Sequence, residues 1–430
     1  MRLAAKLLSD WTVLDRRTEL IEHLLADYPK RNFQVRLWDG FLWGADVCPR
    51  FTLVLNNPRA LRALCLAPSE LSLGESYVRG DFEIEGDIEA AFDLSRHLFR
   101  EEHFTGKRRA LLGELLRLAV HGEPAASVPF PELSGRLHSR ERDRQAVTYH
   151  YDLPSEFYAL WLDSRMVYSC AYFQTREEDL DTAQQHKLEY LCRKLRLRRG
   201  DRLLDIGCGW GSLVMHAAAA HGAQVFGITL SEPQAEWAQR QIRARGLGDR
   251  CRVEVRDYRD LDSRQSYDKI VSVGMVEHVG ESKLPEYFHQ ASQLLRPGGV
   301  FLNHGISYSA TYRRRGPSFT DRYVFPDGEL VPVSTSLRAA EESGFEVRDL
   351  ESLREHYALT LHHWLARLES RSEEARRITS DATYRIYRIY LAGSAHAFRR
   401  GRLNLYQTLL AKPVQGESGL PLTREDWYRA

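Results

Sequence analysis

The sequence predicts an α/β protein whose larger part is a doubly wound, mostly parallel sheet. Three observations predict it. Residues 202–306 alternate short apolar runs with stretches of helical spacing, which is the pattern of parallel strands joined by crossover helices. The first of those runs, Leu203-Leu204-Asp205-Ile206, ends in the glycine turn Gly207-Cys208-Gly209-Trp210-Gly211. At 430 residues the chain also exceeds one ordinary core, so a second, smaller domain is expected beside the sheet.

Residues 1–120 read as that small α/β domain. Phe33–Trp38 and Phe51–Asn56 alternate like strands, Pro58–Leu66 has helical spacing, and Tyr77–Ile84 reads as a third strand. Asp87–Phe99 and Lys107–Val120 again space their apolar residues as helices do. Residues 121–139 are the expected linker, broken by Gly122, Pro124, Pro129 and Pro131.

The larger domain, 140–430, then runs in strict alternation. Strand Arg202–Ile206 is followed by helix Leu213–His221, strand Gln224–Ile228, helix Pro233–Arg245 and strand Arg252–Arg256. Strand Lys269–Val273, helix Leu284–Leu295 and strand Gly299–Ile306 complete it, with Pro297-Gly298-Gly299 stopping the last helix. Phe345–Leu350 and Leu405–Leu410 are expected as an antiparallel edge. The helical stretch between them, 357–400, is expected to cover the carboxyl ends of the strands, where open α/β sheets bind ligands.

Composition narrows the partners. Sixty basic and 59 acidic side chains give a net charge of +1, so no global field draws the chain to nucleic acid. Basic residues do cluster, at Lys107-Arg108-Arg109, Arg136 to Arg144, Arg193 to Arg202, Arg313-Arg314-Arg315 and Arg399-Arg400-Arg402. Such clusters suit solvated faces, and several together suit an anionic membrane surface. The six cysteines show neither C-x-x-C nor Cys/His ligand spacing, so neither a metal site nor a disulfide framework is expected. No apolar stretch is long enough to span a bilayer, and Met1 to Asp10 is too polar for a signal peptide. The expected location is cytoplasmic, with peripheral contact at the inner membrane face.

The glycine turn indicates the ligand. A dinucleotide fingerprint needs G-x-G-x-x-G, and Ser212 stands where the third glycine belongs. With Asp205 leading it, the turn is similar to motif I of class I S-adenosyl-L-methionine-dependent methyltransferases.

Further along the chain the resemblance becomes more specific. His150-Tyr151-Asp152-Leu153 and Met166-Val167-Tyr168-Ser169-Cys170-Ala171-Tyr172-Phe173 resemble the start of the catalytic domain of cyclopropane-fatty-acyl-phospholipid synthases. The likeness continues through Gly227-Ile228-Thr229-Leu230-Ser231, Ser272 to Gly280, His356-Tyr357-Ala358 and Tyr390-Leu391-Ala392-Gly393, and Ser72 to Ile88 resembles the family's N-terminal domain. The resemblance implies that Asp205, Gly207, Gly209 and Gly211 receive the methionine end of S-adenosyl-L-methionine. It implies that Thr229, Leu230 and Gln234 serve the nucleoside, that Tyr258 flanks the adenine, and that Tyr151, Tyr168 and Ser169 close over the cofactor.

It also implies a reaction. Family members add a methylene to a cis double bond of an unsaturated phospholipid acyl chain. A weak alkene nucleophile must be held against the sulfonium methyl, and the resulting carbocation needs a dry, aromatic pocket. Ring closure removes a proton, for which the family uses bound bicarbonate. The matching positions are Cys170, Glu277, His304, the backbone of Ile306, and Tyr357. Taken singly, Cys170 is a small buried hydrophobe, Glu277 a helix N-terminal acid and His304 a satisfied core histidine. Their joint presence in family order favours the functional reading, with His278 as a neighbouring support.

Three departures bear on the product. Pro154-Ser155 alters a turn, Asn303-His304-Gly305 replaces the family's usual Leu-His-Thr, and Val276 stands in place of a common Phe beside Glu277. A fatty-acid methyltransferase making methyl- or methylene-branched chains is the near alternative. An amine N-methyltransferase is a more distant one, because an amine lone pair needs no such base set. A homodimer is possible, since two-domain relatives often pair.

Overall fold

The computed structural model describes residues 21–22, 25, 28–30, 32–45, 48–65, 69–98, 128, 130–264, 266–312 and 318–428. The expected helix Lys107–Val120, the linker as far as 127, Met1 to Asp10 and two of the basic clusters lie outside them. The chain divides into two compact units, the first made of residues 1–130, 317–319 and 381–393, the second of the remainder.

The first unit carries a four-stranded sheet in the order β2-β1-β3-β4. Its strands are β1 (Phe33–Arg36), β2 (Leu42–Gly44), β3 (Phe51–Leu55) and β4 (Phe82–Gly86). Phe33 and Phe51 pair in register across β1 and β3 and stack with centroids 5.1 Å apart. The strand expected at Tyr77–Ile84 is corrected. Tyr77 and Val78 end a helix, Glu70–Val78, and the strand begins only at Phe82. Ser69 caps that helix by accepting the Ser72 N–H, and Ser72 answers with its own hydroxyl, a capping box without the usual Glu or Gln. Gly80, at φ 75°, then turns the chain into β4.

Residues 381–393, which the sequence reading placed in the larger domain, group with this sheet through Arg388. Its guanidinium is buried and donates to the Tyr77 hydroxyl at 2.7 Å, the Ile84 carbonyl at 3.1 Å and the Glu83 carboxylate at 3.3 Å.

The second unit is built on a seven-stranded sheet in the order β10-β11-β9-β8-β5-β6-β7. The strands are β5 (Arg202–Ile206), β6 (Gln224–Thr229), β7 (Cys251–Val255), β8 (Tyr267–Val273), β9 (Leu295–Tyr308), β10 (Glu346–Ser352) and β11 (Leu403–Ala411). β11 runs antiparallel to β9 and β10, as expected, and the neighbours from β9 to β7 are parallel. The central strands are buried on both faces, which is why Leu203-Leu204 and Ile270-Val271 read as continuous apolar runs. Strand order reverses between β5 and β8, and the crevice outside their carboxyl ends is the switch point where such sheets bind ligands. Among the described residues no helix is long and apolar enough to cross a membrane.

Candidate active site

The glycine turn is fastened to β6, because the N–H groups of Gly207 and Cys208 both donate to the Ile228 carbonyl at 2.9 Å. Gly207, Gly209 and Gly211 all have positive φ, at 80°, 54° and 78°. A Cβ on Gly207 would lie 3.1 Å from the Met275 side chain, and one on Gly211 3.0 Å from the Ala238 Cβ. Gly211 therefore serves close packing of the helix Glu232–Ala244, and it is the one cofactor candidate outside the cavity wall.

That cavity holds about 1210 Å³ of empty space, part of it open to solvent. Asp205, Gly207 and Gly209 form its floor at the end of β5, and Thr229, Leu230 and Gln234 follow at the end of β6. Tyr258 contributes after β7, and Tyr151, Tyr168 and Ser169 come from the segments before the sheet. The Thr229 hydroxyl donates to Gln234 Oε1 at 2.8 Å and accepts the Ser231 N–H, which fixes both side chains at the β6 tip. Tyr258 stands edge-on to Tyr287, with centroids 5.5 Å apart.

Two wall residues escaped the sequence reading. Asp257 precedes Tyr258, and Arg259 grips both of its oxygens at 2.9 and 2.6 Å. Burial opposes ionisation there, but the Arg259 hydrogen bonds outweigh it and keep the carboxyl below its usual range. The signal was present, since an acid after the third strand stood beside a residue already singled out. Lys187 had no such signal, being one charge among many on the helix Leu180–Lys194. It is buried, its ammonium donates to the Ser169 hydroxyl at 2.9 Å, and it faces the charge of Asp205. Burial pushes Lys187 down to about 8 and Asp205 up to about 7, each resisting the other's shift. An acid and an ammonium on the same cavity wall suit the zwitterionic end of an amino acid. The cavity thus fits S-adenosyl-L-methionine.

The five catalytic candidates do not line this cavity, and Glu277 and Ile306 line a separate, smaller one. Glu277 and Ile306 are joined directly: the Ile306 N–H donates to Glu277 Oε1 at 2.7 Å. Ile306 pairs with Leu405 of β11, whose carbonyl accepts the Leu353 N–H. The Leu353 carbonyl in turn accepts the Tyr357 N–H at 3.0 Å, with the Cys170 thiol 3.9 Å away. One run of contacts, through the side chains of Glu277 and Cys170 and the backbone between them, therefore connects four of the five. His304, two residues before Ile306 on β9, shares that strand face, and its Nδ1 lies 3.2 Å from the Gln407 amide nitrogen.

Burial sets the charges in this group. It pushes Glu277 up to about 7 against the Ile306 N–H, and it holds His304 neutral, aided by Lys187 and Lys194. It also raises the Cys170 thiol far above its usual range, so no thiolate nucleophile is available. Glu277 Oε2 and His304 Nε2 are buried without a hydrogen-bond partner among the described residues. Leaving such atoms unpaired costs about 1–3 kcal/mol each. Where the Gln407 amide donates to Nδ1, the neutral His304 ring carries its proton on Nε2. Open polar atoms of this kind would suit bicarbonate, which has both a hydroxyl and anionic oxygens. The Ile306 N–H is already taken by Glu277, so that amide does not add to the pair.

An aromatic wall adjoins the group. Trp161, Tyr168 and Trp364 lie mutually 5.1–5.5 Å apart, and Tyr357 extends the cluster through Trp364 at 6.0 Å and Phe398 at 4.7 Å. Gly305 and Val276 interlock: a Cβ on Gly305 would fall 2.3 Å from Val276 Cγ1.

Fold and cavity together define a class I methyltransferase that uses S-adenosyl-L-methionine. Residues 138–408 match the mycolic acid cyclopropane synthetase family, and the chain belongs to it, as its motifs led us to expect. Residues 20–101 match a domain family of unknown function. The chain is 42% identical over 405 residues to a probable fatty acid methyltransferase of Pseudomonas putida, covering 92% of this chain and 96% of the relative. It is 36% identical over 370 residues to cyclopropane-fatty-acyl-phospholipid synthase of Escherichia coli, covering 86% and 90%. Among solved structures, the mycolic acid cyclopropane synthase CmaA1 complexed with SAH and CTAB matches with a TM-score of 0.59 at 34% identity, over 62% of this chain and 97% of that one.

Proposed function

We propose that the protein transfers the methyl group of S-adenosyl-L-methionine to a cis double bond of an unsaturated acyl chain in membrane phospholipid and closes it to a cyclopropane. The observation that carries this reading is that Glu277 Oε2 and His304 Nε2, on two of the residues the family motifs single out, are buried without partners among the described residues. Asp205 and Lys187 hold the methionine end, while the β6 tip and Tyr258 hold the nucleoside. The acyl chain then lies against Trp364, Tyr168 and Tyr357, whose ring faces favour positive charge and exclude water. Cys170, Glu277, His304, Ile306 and Tyr357 surround the position of the base, and Glu277 and His304 would hold bicarbonate there. When bound, bicarbonate supplies a base that accepts the proton lost on ring closure and, unlike a side-chain carboxylate, puts no residue at risk of alkylation. The chain's own part is to orient that base and to keep Cys170 as an unreactive thiol.

A second reading is favoured by the Gly305–Val276 pair and by the name of the Pseudomonas putida relative. With a Gly and a Val where the family has larger residues, the cation sits differently against the base, and another proton is lost. The product is then a methyl- or methylene-branched chain.

Contact with the membrane is part of the proposal, at the inner face of a cytoplasmic membrane. Arg140, Arg142, Arg193 and Arg196 are ion-paired with Asp260, Asp327, Glu189 and Asp426, so attraction to anionic lipid is weaker than the clusters suggest. Mass spectrometry of acyl chains after incubation with cis-unsaturated phospholipid vesicles and S-adenosyl-L-methionine tests the reading. A gain of one CH₂ with loss of the double bond supports cyclopropanation. The same gain with a double bond kept supports the second reading, and no gain in any lipid refutes both.

A further inference from the structure

A cluster outside the cavity wall has the chemistry of a metal site. Glu189 and Cys192 lie on the helix Leu180–Lys194, His216 lies on the helix Ser212–Ala220, and His221 caps the latter. Ligand atoms of Cys192, His216 and His221 all fall within 4.8 Å of one another, the single such group among the described residues. Nε2 of His216 and Nε2 of His221 point at the same oxygen, Glu189 Oε2, at 3.2 and 3.1 Å. The other carboxylate oxygen is held by Arg193 Nε at 2.9 Å, so the free edge of Glu189 is aimed between the two imidazoles.

We propose that Cys192, His216, His221 and Glu189 bind one divalent transition-metal ion of the zinc class. Two imidazoles and a thiolate form the core of a tetrahedral zinc site, and the Glu189 carboxylate, outside that 4.8 Å group but within 3.2 Å of both imidazoles, would turn in as the fourth donor. An ionic network alone accounts for Glu189 and the histidines, and Cys192 is fully buried in the core with Leu188, Leu191 and Leu195, yet its sulfur also comes within 4.8 Å of a nitrogen of each imidazole. As a ligand, the thiol would lose its proton to solvent when the ion binds, and the thiolate and carboxylate would balance the two positive charges. Arg193 then acts as the outer partner that orients the carboxylate. Spacing in the sequence hid the group, because Cys192 and His216 are separated by β5 and the whole glycine turn. The ion would clip together the helix that carries Lys187 and the helix that follows the glycine floor.

The test uses the full-length protein, stripped with chelator and titrated with Co²⁺ and with Zn²⁺. The expected result is one equivalent bound, a thiolate-to-cobalt charge-transfer band, and a higher Tm with zinc. Cys192→Ser is expected to abolish the band. His221→Gln, at a side chain 19% exposed and so tolerant of change, is expected to weaken binding at least tenfold and to remove the zinc effect on Tm. Substoichiometric binding by the wild type, a thiolate band that survives Cys192→Ser, or a Tm that zinc leaves unchanged would each overturn the proposal.

Discussion

Glu277 and Ile306 meet through one hydrogen bond that uses only half of the carboxylate. Oε1 accepts the Ile306 N–H at 2.7 Å, while Oε2 stays buried and unpartnered. The bond fixes the side chain from the edge of β9, so the open oxygen keeps one direction without help from any other side chain. Glu277→Gln preserves the accepting oxygen but puts a donor where the open acceptor was. Turnover is expected to fall by about 10²-fold or more, with cofactor affinity within about twofold of the wild type. Cys170→Ser is expected to show the same split in milder form. Calorimetry with S-adenosyl-L-methionine beside lipid mass spectrometry reads both quantities, and an equal loss of cofactor binding would place these residues in the cofactor site instead.

The interlock of Gly305 and Val276 predicts a compensating pair. Gly305→Ala forces a methyl to within 2.3 Å of Val276 Cγ1, and overpacking of this kind costs about 1–3 kcal/mol. Gly305 has no positive φ to relieve, so the clash alone sets the cost. Val276→Ala combined with Gly305→Ala is expected to recover most of that loss. Urea denaturation of the two single variants and the double variant measures the coupling, and strictly additive losses would mean that the strand moves instead.

Much of this was legible in the sequence because local chemistry and global fold agree there. The run Leu203 to Gly211 specifies a strand, a left-handed turn and a close approach in nine residues, and ten of the eleven cofactor candidates line one cavity. What stayed hidden depends on partners distant in the chain. Tyr77 alternates like a strand residue, yet the Ser69–Ser72 box makes it helical. β2 is three residues long with its first side chain exposed, so it offered no alternation to read. Lys187 is conspicuous only after folding sets its ammonium against Ser169 and Asp205. The short reach of sequence spacing likewise could not bring Cys192 to His216.

Cofactor binding should carry the titrations of Asp205 and Lys187. Burial raises Asp205 to about 7, so below that pH its carboxyl is neutral and attracts the cofactor's ammonium weakly. Burial lowers Lys187 to about 8, so above that pH its ammonium is lost and the cofactor's carboxylate loses a partner. Affinity for S-adenosyl-L-methionine is therefore expected to rise as pH climbs through about 7 and to fall again above about 8. Asp205→Asn should remove the acid limb and Lys187→Met the alkaline limb, each variant keeping the other. Calorimetric Kd values across this range decide it, and a flat profile for the wild type would show that neither group faces the cofactor's charges.

Arg388 predicts how the first unit holds residues 381–393. Its buried guanidinium serves three acceptors at once, the Tyr77 hydroxyl, the Ile84 carbonyl and Glu83, in directions a planar fork can satisfy and a single ammonium cannot. Arg388→Met removes the donor to the Tyr77 hydroxyl and the Ile84 carbonyl and leaves Glu83 with Arg385 as its ion partner, a change expected to cost about 1–3 kcal/mol for each buried acceptor. Arg388→Lys keeps the charge but not the fork, and it should recover less than half of that loss. Glu83→Gln is expected to be milder than Arg388→Met, since the hydroxyl and carbonyl bonds remain. The readout is chemical denaturation followed by fluorescence, with cofactor binding by the second unit measured in parallel. If Arg388→Lys proves as stable as the wild type, the charge alone ties these residues to the sheet and the three-way geometry is incidental.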